Sequence, residues 1–327
     1  PVYKKMTSQD RKINLKIEKV EKSVFDKLEL RETIDMKTLD RLIESDLLKP
    51  ITKDGRLYEN ERSQLEAYKA KYVAMKRKTG YIPVKYHRVV SKYGRVIPEK
   101  SLSLISFRKA IRHTLAREYY VDIDIKNCHP VILVQICKQN DVECAHLESY
   151  VNNRNEVLTR YTELYGCTQD EVKNLFIRYM YLGGFESWKK DTPVITADAQ
   201  PDEFLIAFGK ELKAIATLIC GENIPMMMEL ERYKPEEKYH NPQAMGLSYY
   251  CQEWERRILE VVYNHLCVMK CVQKDAVLCF DGIMIPKEKY SDALLKIMEE
   301  KVKETLDDRG IYRGRTTCIG NTCFYQR

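Results

Sequence analysis

The amino-acid sequence predicts an α+β protein in which a small antiparallel sheet is combined with many helices. Two stretches predict the sheet: residues 119–125 alternate β-branched and aromatic residues with two aspartates, and residues 276–285 carry apolar residues on both sides of an Asp-Gly pair. The long segment between them, from Pro130 to about Cys220, has apolar residues at helical spacing. We therefore expect two strands from distant parts of the chain to meet in one sheet.

Residues 1–80 predict a small helical subdomain without a catalytic signal. Met36 to Leu48 places leucine and isoleucine side chains on one stripe, and Asn60 to Lys78 predicts a second helix that ends before Gly80. We place a domain boundary at residue 80 and assign residues 81–327 to a larger domain.

Positive charge is concentrated in residues 71–117, where thirteen basic residues accompany the single acid Glu99. Four tyrosines are interleaved with these charges: Tyr72, Tyr81, Tyr86 and Tyr93. Such a mixture suits a nucleic-acid backbone with bases stacked alongside, whereas the plainer interpretation is a solvated basic face. A helix over residues 106–118 would place Arg108 and Arg112 on one face, where they could grip a phosphate. The other basic residues of this block that we assign to nucleic-acid binding are Lys76, Arg77 and Lys78.

Asp124 and Asp281 are the candidate catalytic residues. Asp122 and Asp124 share one face of the first predicted strand, and Asp281 ends the first apolar run of the second stretch. A buried carboxylate is unfavourable unless it is paired or binds a metal, so two such acids brought to one point predict a Mg²⁺ pair. Taken singly, each acid is explained by ordinary turn chemistry, and Asp281-Gly282 is also a hairpin signature.

A helix that begins after Thr168 supplies a further candidate surface. Lys173, Ile177 and Tyr181 are each four residues apart and project from one side of this helix. Lys173 could therefore contact a triphosphate while Tyr181 contacts a base or a sugar. The alternative is an ordinary amphipathic helix closed by the glycines at 183 and 184.

The rest of the chain completes a mainly helical pattern. The predicted elements are a helix from Asp202 to Leu218, a charged loop from Lys234 to Asn241, a helix from Met245 to Leu266, a helix from Ser291 to Leu306, and a strand or hairpin after Gly310.

Eleven cysteines are scattered through apolar segments, which indicates buried thiols in a reducing, intracellular compartment. The spacings of Cys267 with Cys271 and of Cys318 with Cys323 fall within the range of zinc ligands, so a zinc site is the alternative. The sequence has no run of eighteen apolar residues, and we expect a soluble protein without a membrane partner.

The order of these pieces resembles the palm and fingers of the A-family nucleic-acid polymerases, in a derived form, from about Ser91 to Ile285. Tyr93-Gly94-Arg95 resembles the Gly-Arg motif that contacts primer and template. The strand at Asp124 resembles motif A, and Phe280-Asp281-Gly282 resembles motif C. Lys173, Tyr181 and Gly183 resemble motif B, in which a lysine is followed eight residues later by a tyrosine and then by a glycine. Gln252 resembles the glutamine on the helix before motif C.

This resemblance implies a role for each matching residue. Asp124 and Asp281 would hold two metal ions, with the backbone carbonyl of Ile125 as a further ligand. His129 falls where the family screens the sugar 2′ position. The resemblance and its register assign nucleotide binding to Lys173, Arg178, Tyr181, His129 and Asn127, and nucleic-acid binding to Arg95 and Gln252.

Three residues depart from the family pattern. Gln169 stands where motif B has a second basic residue, which Arg178 could replace. Phe280 stands where motif C has histidine, and His129 stands where motif A has an acid. The Asp-Ile-Lys-Asn-Cys-His-Pro form at residues 124–130 is similar to the divergent polymerase domains of large DNA viruses, transpovirons and related mobile elements, which are often fused to a superfamily 3 helicase. The start at Pro1 is compatible with a piece of such a fusion.

We therefore expect a right-hand polymerase palm with helical fingers at about 140–240 and the helical subdomain at the N-terminus. The expected function is template-directed nucleotidyl transfer, as a DNA polymerase or primase-polymerase, in the replication of a virus or mobile element within the host cytoplasm or a viral factory. The expected cofactor is Mg²⁺, with Mn²⁺ as a substitute, and the expected partners are DNA template and primer, nucleoside triphosphates and a helicase. The alternatives are a metal-dependent nuclease and a non-catalytic nucleic-acid-binding replication module.

Overall fold

A computed structural model of the chain describes residues 15–17, 22–51, 59–90, 93–233, 241–308 and 324–326. The helices are α1 (Met36–Glu44), α2 (Glu61–Thr79), α3 (Lys109–Ala116), α4 (Cys128–Gln139), α5 (Ala145–Asn152), α6 (Arg154–Tyr165), α7 (Gln169–Met180), α8 (Phe185–Asp191), α9 (Glu203–Glu222), α10 (Ile224–Tyr233), α11 (Pro242–Val268) and α12 (Asp292–Asp308). The strands are β1 (Glu29–Glu32), β2 (Ile82–Val90), β3 (Tyr93–Pro98), β4 (Tyr120–Ile125), β5 (Val277–Cys279), β6 (Gly282–Pro286) and β7 (Phe324–Gln326).

The strands form two antiparallel sheets, which confirms the predicted α+β class. One sheet has three strands in the order β1-β2-β3, and the other has four in the order β5-β6-β4-β7. The four-stranded sheet combines the two stretches that the sequence predicted as strands, because β4 pairs with β6. Distant parts of the chain therefore supply adjacent strands.

The chain forms two compact units. The sheet unit contains Val20–Lys126, Glu255–Arg309 and Ile319–Arg327, and the helical unit contains Pro1–Lys19, Asn127–Trp254 and Gly310–Cys318. The predicted boundary at residue 80 does not coincide with a boundary between these units. The predicted fingers at about 140–240 fall within the helical unit.

Residues 1–80 are not wholly helical, because β1 lies among them and pairs with β2. Leu30 of β1 stands opposite Val84 of β2, and both side chains are buried. Four residues are too few to show a strand periodicity in the sequence, so this strand was missed. Its partner strand, 50 or so positions later, is what defines it.

Several predicted helix ends are confirmed. Asn60 caps α2 by accepting a hydrogen bond from the Ser63 amide at 2.9 Å, and Gly80 ends the helix at φ +78°. Thr168 and Glu171 form a reciprocal capping box at the start of α7. The helix predicted over residues 106–118 is shorter than expected, because α3 begins only after Arg108.

The helical unit has an aromatic core that holds α5, α6, α7 and α9 together. The rings of Tyr150 and Phe176 stack with centroids 4.5 Å apart, and Tyr161 and Phe208 meet Phe176 at 5.4 and 5.5 Å. Aromatic pairs of this kind add to the burial of their own area. The core fixes α7, which carries the predicted nucleotide-binding residues Lys173 and Arg178.

Seven of the nine cysteines in the described residues are buried free thiols, as predicted, and Cys267 and Cys271 are half-buried. Cys318 and Cys323 lie outside the described residues, as do most of the predicted loop at 234–241 and most of the tail after Gly310. Within the tail, β7 is described and pairs with β4. In the described part of the chain, we find no helix with the length and apolar character needed to cross a bilayer.

Candidate active site

Strand β4 carries two aspartates into the interior of the sheet unit. All six of its residues are buried, with Asp122 5% exposed and Asp124 fully buried. Because side chains alternate along a strand, the two acids lie on one face and Val121, Ile123 and Ile125 lie on the other. One face of the strand is therefore apolar, and the other face carries two buried acids.

Asp281 lies in the two-residue loop of the β5–β6 hairpin. Cys279 pairs with Gly282, so the loop residues are Phe280 and Asp281. The sequence placed the turn at Asp281-Gly282, one residue too late. Phe280 takes the positive φ (+61°) that usually favours glycine, while Gly282 is the first residue of β6.

The β4–β6 pairing brings Asp281 next to Asp124. Gly282 stands opposite Asp124 in the register, and the Ile125 amide donates a hydrogen bond to the Asp281 carbonyl at 3.2 Å. A Cβ on Gly282 would lie 3.0 Å from Asp124 Oδ1 and 2.5 Å from the Ile123 carbonyl oxygen. Glycine is required here because no side chain fits between the hairpin and the Asp124 strand.

Asp122, the other acid on this face, is engaged by two basic side chains of α3. Its Oδ2 lies 2.7 Å from His113 Nε2 and 3.9 Å from Arg112 Nη2. The charge of Asp122 also acts on the buried thiol of Cys279. Burial raises the pKa of this thiol well above the ordinary value, and the nearby Asp122 carboxylate raises it further. Asp122 is thus a partner of α3 that supports the strand.

The arrangement suits a hard cation. Carboxylate oxygens are the ligands that Mg²⁺ prefers; Asp124 lies on β4, and Asp281 lies in the loop directly before β6, the strand that pairs with β4. Asp281 is half-buried, so the site is not closed to solvent on the hairpin side. A substrate phosphate could complete the coordination, as is usual for Mg²⁺.

Arg95 of β3 contacts the same hairpin. Its guanidinium forms a two-point ion pair with Glu255 at 2.8 and 2.9 Å and lies 4.8 Å from the centroid of the Phe280 ring. Glu255 is buried. The sequence assigned Arg95 to primer and template, but it gave no role to Glu255.

The structure does not support two predictions for the basic block. Arg112 is only 6% exposed and faces Asp122, while Arg108 precedes α3 and pairs with Glu61 at 2.6 Å, so the two do not form a phosphate-gripping face. The tyrosines proposed for base stacking are mostly core residues: Tyr72, Tyr86 and Tyr93 are buried, and the half-buried Tyr81 has the Arg31 guanidinium 4.0 Å above its ring. The three basic residues at the end of α2, Lys76, Arg77 and Lys78, are exposed.

The helical unit presents the predicted nucleotide-binding residues on and beside α7. Lys173 is 2.8 Å from Asp170, Arg178 pairs with Asp191, and Ile177 between them is exposed. Tyr181 ends the helix, and its hydroxyl is hydrogen-bonded to Nδ1 of His129 on α4. His129 and Tyr181, which the resemblance assigned to nucleotide binding, are therefore in contact within this unit.

Three further predicted residues have defined local roles. Asn127 adopts a left-handed conformation (φ +55°) before α4, which asparagine tolerates well. Gln252 donates to the Ser248 hydroxyl at 2.9 Å, one turn earlier on α11. The Ile125 N–H donates a hydrogen bond to the Asp281 carbonyl, and the Ile125 carbonyl stays a predicted metal ligand.

Sequence reasoning missed several charged residues of the sheet unit that the structure pairs with neighbours. His113 and Glu255 gave no signal, since each is an isolated charged residue in a helical pattern. Glu32 was missed with β1; its fully buried carboxylate accepts hydrogen bonds from the Ser103 hydroxyl, the Tyr68 hydroxyl at 2.8 Å and the Leu104 amide at 3.1 Å. Their roles are identified only by the side chains that they contact in the folded structure.

Comparisons with known proteins give two similarities. No protein-family model matches the chain. A curated protein of Sputnik virophage, named "Putative helicase V13", is 31% identical over 266 residues, which cover 79% of this chain and 32% of that protein. The chain thus spans about a third of the length of this relative. Among solved structures, it is similar to the POL domain of Pol1 from M. smegmatis in complex with DNA primer-template and dNTP, with 10% identity, a TM-score of 0.41, and coverage of 76% of this chain and 47% of that one. A likeness of this extent assigns no activity, which has to come from the residues of the site.

Proposed function

We propose that this protein is a template-directed nucleotidyltransferase, acting as a DNA polymerase or primase-polymerase in the replication of a virus or mobile element. One observation carries the proposal: the β4–β6 pairing places Asp281 beside Asp124, although more than 150 residues separate them in the sequence. A buried acid on β4 beside an acid of the adjoining hairpin loop is explained by a shared cation.

Asp124 and Asp281 would hold the divalent cations. Bound Mg²⁺ would supply activation of a primer 3′-hydroxyl and charge neutralisation of the leaving pyrophosphate. Burial fixes the Asp124 carboxylate, and the Ile125 amide fixes the backbone of Asp281. We assign the triphosphate to Lys173, with help from Arg178, and the new base pair to Tyr181 with His129.

The basic block would bind the template or duplex. Its exposed members at the end of α2 keep their charge available to phosphates, unlike Arg112. We propose a helicase as a joined or associated partner, because the virophage relative is named a helicase. The phosphate-binding pattern G-x-x-x-x-G-K-[ST] does not occur in these 327 residues, so this chain is not proposed to supply the helicase ATP site.

A metal-dependent nuclease is less well supported. Such an enzyme usually needs three or four clustered acids, and Asp122, the third acid on this face, is engaged by His113 and Arg112. The experiment that tests the proposal also determines the sugar preference and the need for a primer.

Primer extension with labelled ribo- and deoxyribonucleotides, on primed and unprimed strands with and without Mg²⁺, tests the proposal. Asp124→Asn and Asp281→Asn should each reduce incorporation by more than about 100-fold. Replacing a residue that only supports a metal ligand typically lowers activity by about 10–100-fold, and replacing the ligand itself should lower it further. The exposed Asp46→Asn is the matched control and should retain full activity. Retained incorporation in both site variants would refute the assignment. Mg²⁺-dependent DNA degradation without nucleotides would indicate the nuclease, and DNA binding indifferent to Mg²⁺ and triphosphate would indicate a non-catalytic module.

A further inference from the structure

We infer that Arg95 is a positioning residue for Asp281: held by Glu255 and stacked on Phe280, it fixes the hairpin loop that carries the Asp281 carboxylate. This inference rests on the proposed function, since it gives Arg95 a role toward a cation-binding residue. It differs from the contact with primer and template that the sequence suggested for Arg95.

The loop requires a contact of this kind. Phe280 has φ +61°, a conformation that non-glycine residues with large side chains adopt only when their surroundings hold them. Phe280 is 37% exposed, so the core encloses it only in part. The direction of the Asp281 carboxylate depends on this backbone, because Asp281 directly follows Phe280 in the loop and its carbonyl accepts the hydrogen bond from the Ile125 amide of β4.

Arg95 is suited to hold the ring because Glu255 holds Arg95. The two hydrogen bonds from Nε and Nη2 to the Glu255 carboxylate fix the plane of the guanidinium. Glu255 is itself immobilised, with 1% of its side chain exposed. The guanidinium then lies 4.8 Å from the ring centroid, within the range of a cation–π contact. Glu255, Arg95 and Phe280 thus form successive side-chain contacts from helix α11 to the loop.

Variants of Phe280 test the inference without removing the cation that pairs with the buried Glu255 carboxylate, which Arg95→Ala would do. Phe280→Ala removes the ring, and Phe280→Tyr is the matched control that keeps an aromatic face. Mn²⁺ binding is followed by the EPR signal of the free ion, without DNA or nucleotide, and Asp281→Asn shows which binding belongs to this site. The Mg²⁺ concentration for half-maximal primer extension and the primer-template Kd are measured on the same proteins.

Phe280→Ala should weaken Mn²⁺ binding and raise the half-saturating Mg²⁺ concentration by about 10-fold, as expected for an outer-shell residue. Phe280→Tyr should stay within about twofold of wild type, and Arg95→Lys should fall between the two because lysine keeps the charge but not the fixed plane. The primer-template Kd should not change in either Phe280 variant. Equal metal affinity in wild type and Phe280→Ala would overturn the inference alone. Wild-type Mn²⁺ binding that Asp281→Asn leaves unchanged would overturn both the inference and the proposed function.

Discussion

Gly282 stands opposite Asp124 in the β4–β6 pairing, and its missing side chain is what lets the hairpin approach the acid. A Cβ there would lie 2.5 Å from the Ile123 carbonyl oxygen and 3.0 Å from Asp124 Oδ1. Gly282→Ala should therefore displace the hairpin, lower the free energy of unfolding by about 1–3 kcal/mol, and reduce primer extension. Urea unfolding followed by circular dichroism measures the first effect.

Gly221→Ala is the matched control for this substitution. Gly221 is exposed on α9, and a Cβ there would meet nothing within 4 Å. Gly221→Ala should leave the free energy of unfolding unchanged or slightly higher, because alanine has a higher helix propensity than glycine. If Gly282→Ala is as stable and active as Gly221→Ala, the close approach of the two strands is not a requirement.

Asp122 is expected to matter for stability through its basic partners. Asp122→Ala removes the carboxylate from His113 at 2.7 Å and leaves Arg112, 6% exposed, without its buried counter-charge. Breaking a buried pair in this way should cost about 3 kcal/mol of unfolding free energy. His113→Gln keeps a nitrogen donor at a comparable position, so its loss should stay near 1 kcal/mol. Equal losses in the two variants, measured by urea unfolding, would contradict the role of Arg112.

The acidic strand was predictable because its signals are local. Asp122 and Asp124 interrupt an apolar, β-branched run, and this contrast needs no knowledge of the rest of the fold. The loop at Asp281 was placed one residue late because turn propensities favour Asp-Gly, whereas the close approach of the Ile123 carbonyl reserves Gly282 for the strand. That requirement comes from a tertiary contact.

The basic block shows where local patterns mislead. Along β2, alternation sends Tyr86 into the core while Lys85 remains exposed, and Arg88, on the same face as Tyr86, is buried and pairs with Asp26 at 2.8 Å. Arg112 looked like a surface residue until α3 was placed beside β4. Neither the tyrosines nor this arginine could be assigned without the position of the neighbouring strand.

Glu32 should make stability depend on pH. Burial raises the pKa of its carboxyl above the ordinary value of 4.5, and the hydrogen bonds from Ser103 and Tyr68 only partly oppose this shift. The folded protein therefore binds a proton that the unfolded chain has lost between pH 4.5 and the raised pKa. The free energy of unfolding should fall as the pH rises through this window, and Glu32→Gln should remove the dependence. Urea midpoints measured from about pH 2.5 to 8 check this expectation.

Asp35 provides a control of opposite sign. Its hydrogen bonds with Thr38 lower its pKa below 3.8, so its contribution to stability is present above pH 3.8 and is lost as the pH falls through the lowered value. Asparagine also caps helices well, so Asp35→Asn isolates the charge. A Glu32→Gln variant whose urea midpoint follows the wild-type pH profile unchanged would show that Glu32 does not titrate in this range.

Lys173 should affect nucleotide affinity rather than folding. Its ammonium group lies 2.8 Å from Asp170, on the exposed side of α7 that also carries Ile177, and an exposed pair of this kind contributes little to stability. Lys173→Ala should raise the KM for nucleotides about 10-fold while leaving the primer-template Kd and the thermal midpoint unchanged, since one charge-assisted contact to a phosphate is lost. Asp170→Asn is the matched control: it removes the same ion pair but keeps the cation, so the KM should be equal to or lower than that of wild type. If both variants raise the KM to the same extent, the ion pair serves to order the helix, and Lys173 does not bind the triphosphate.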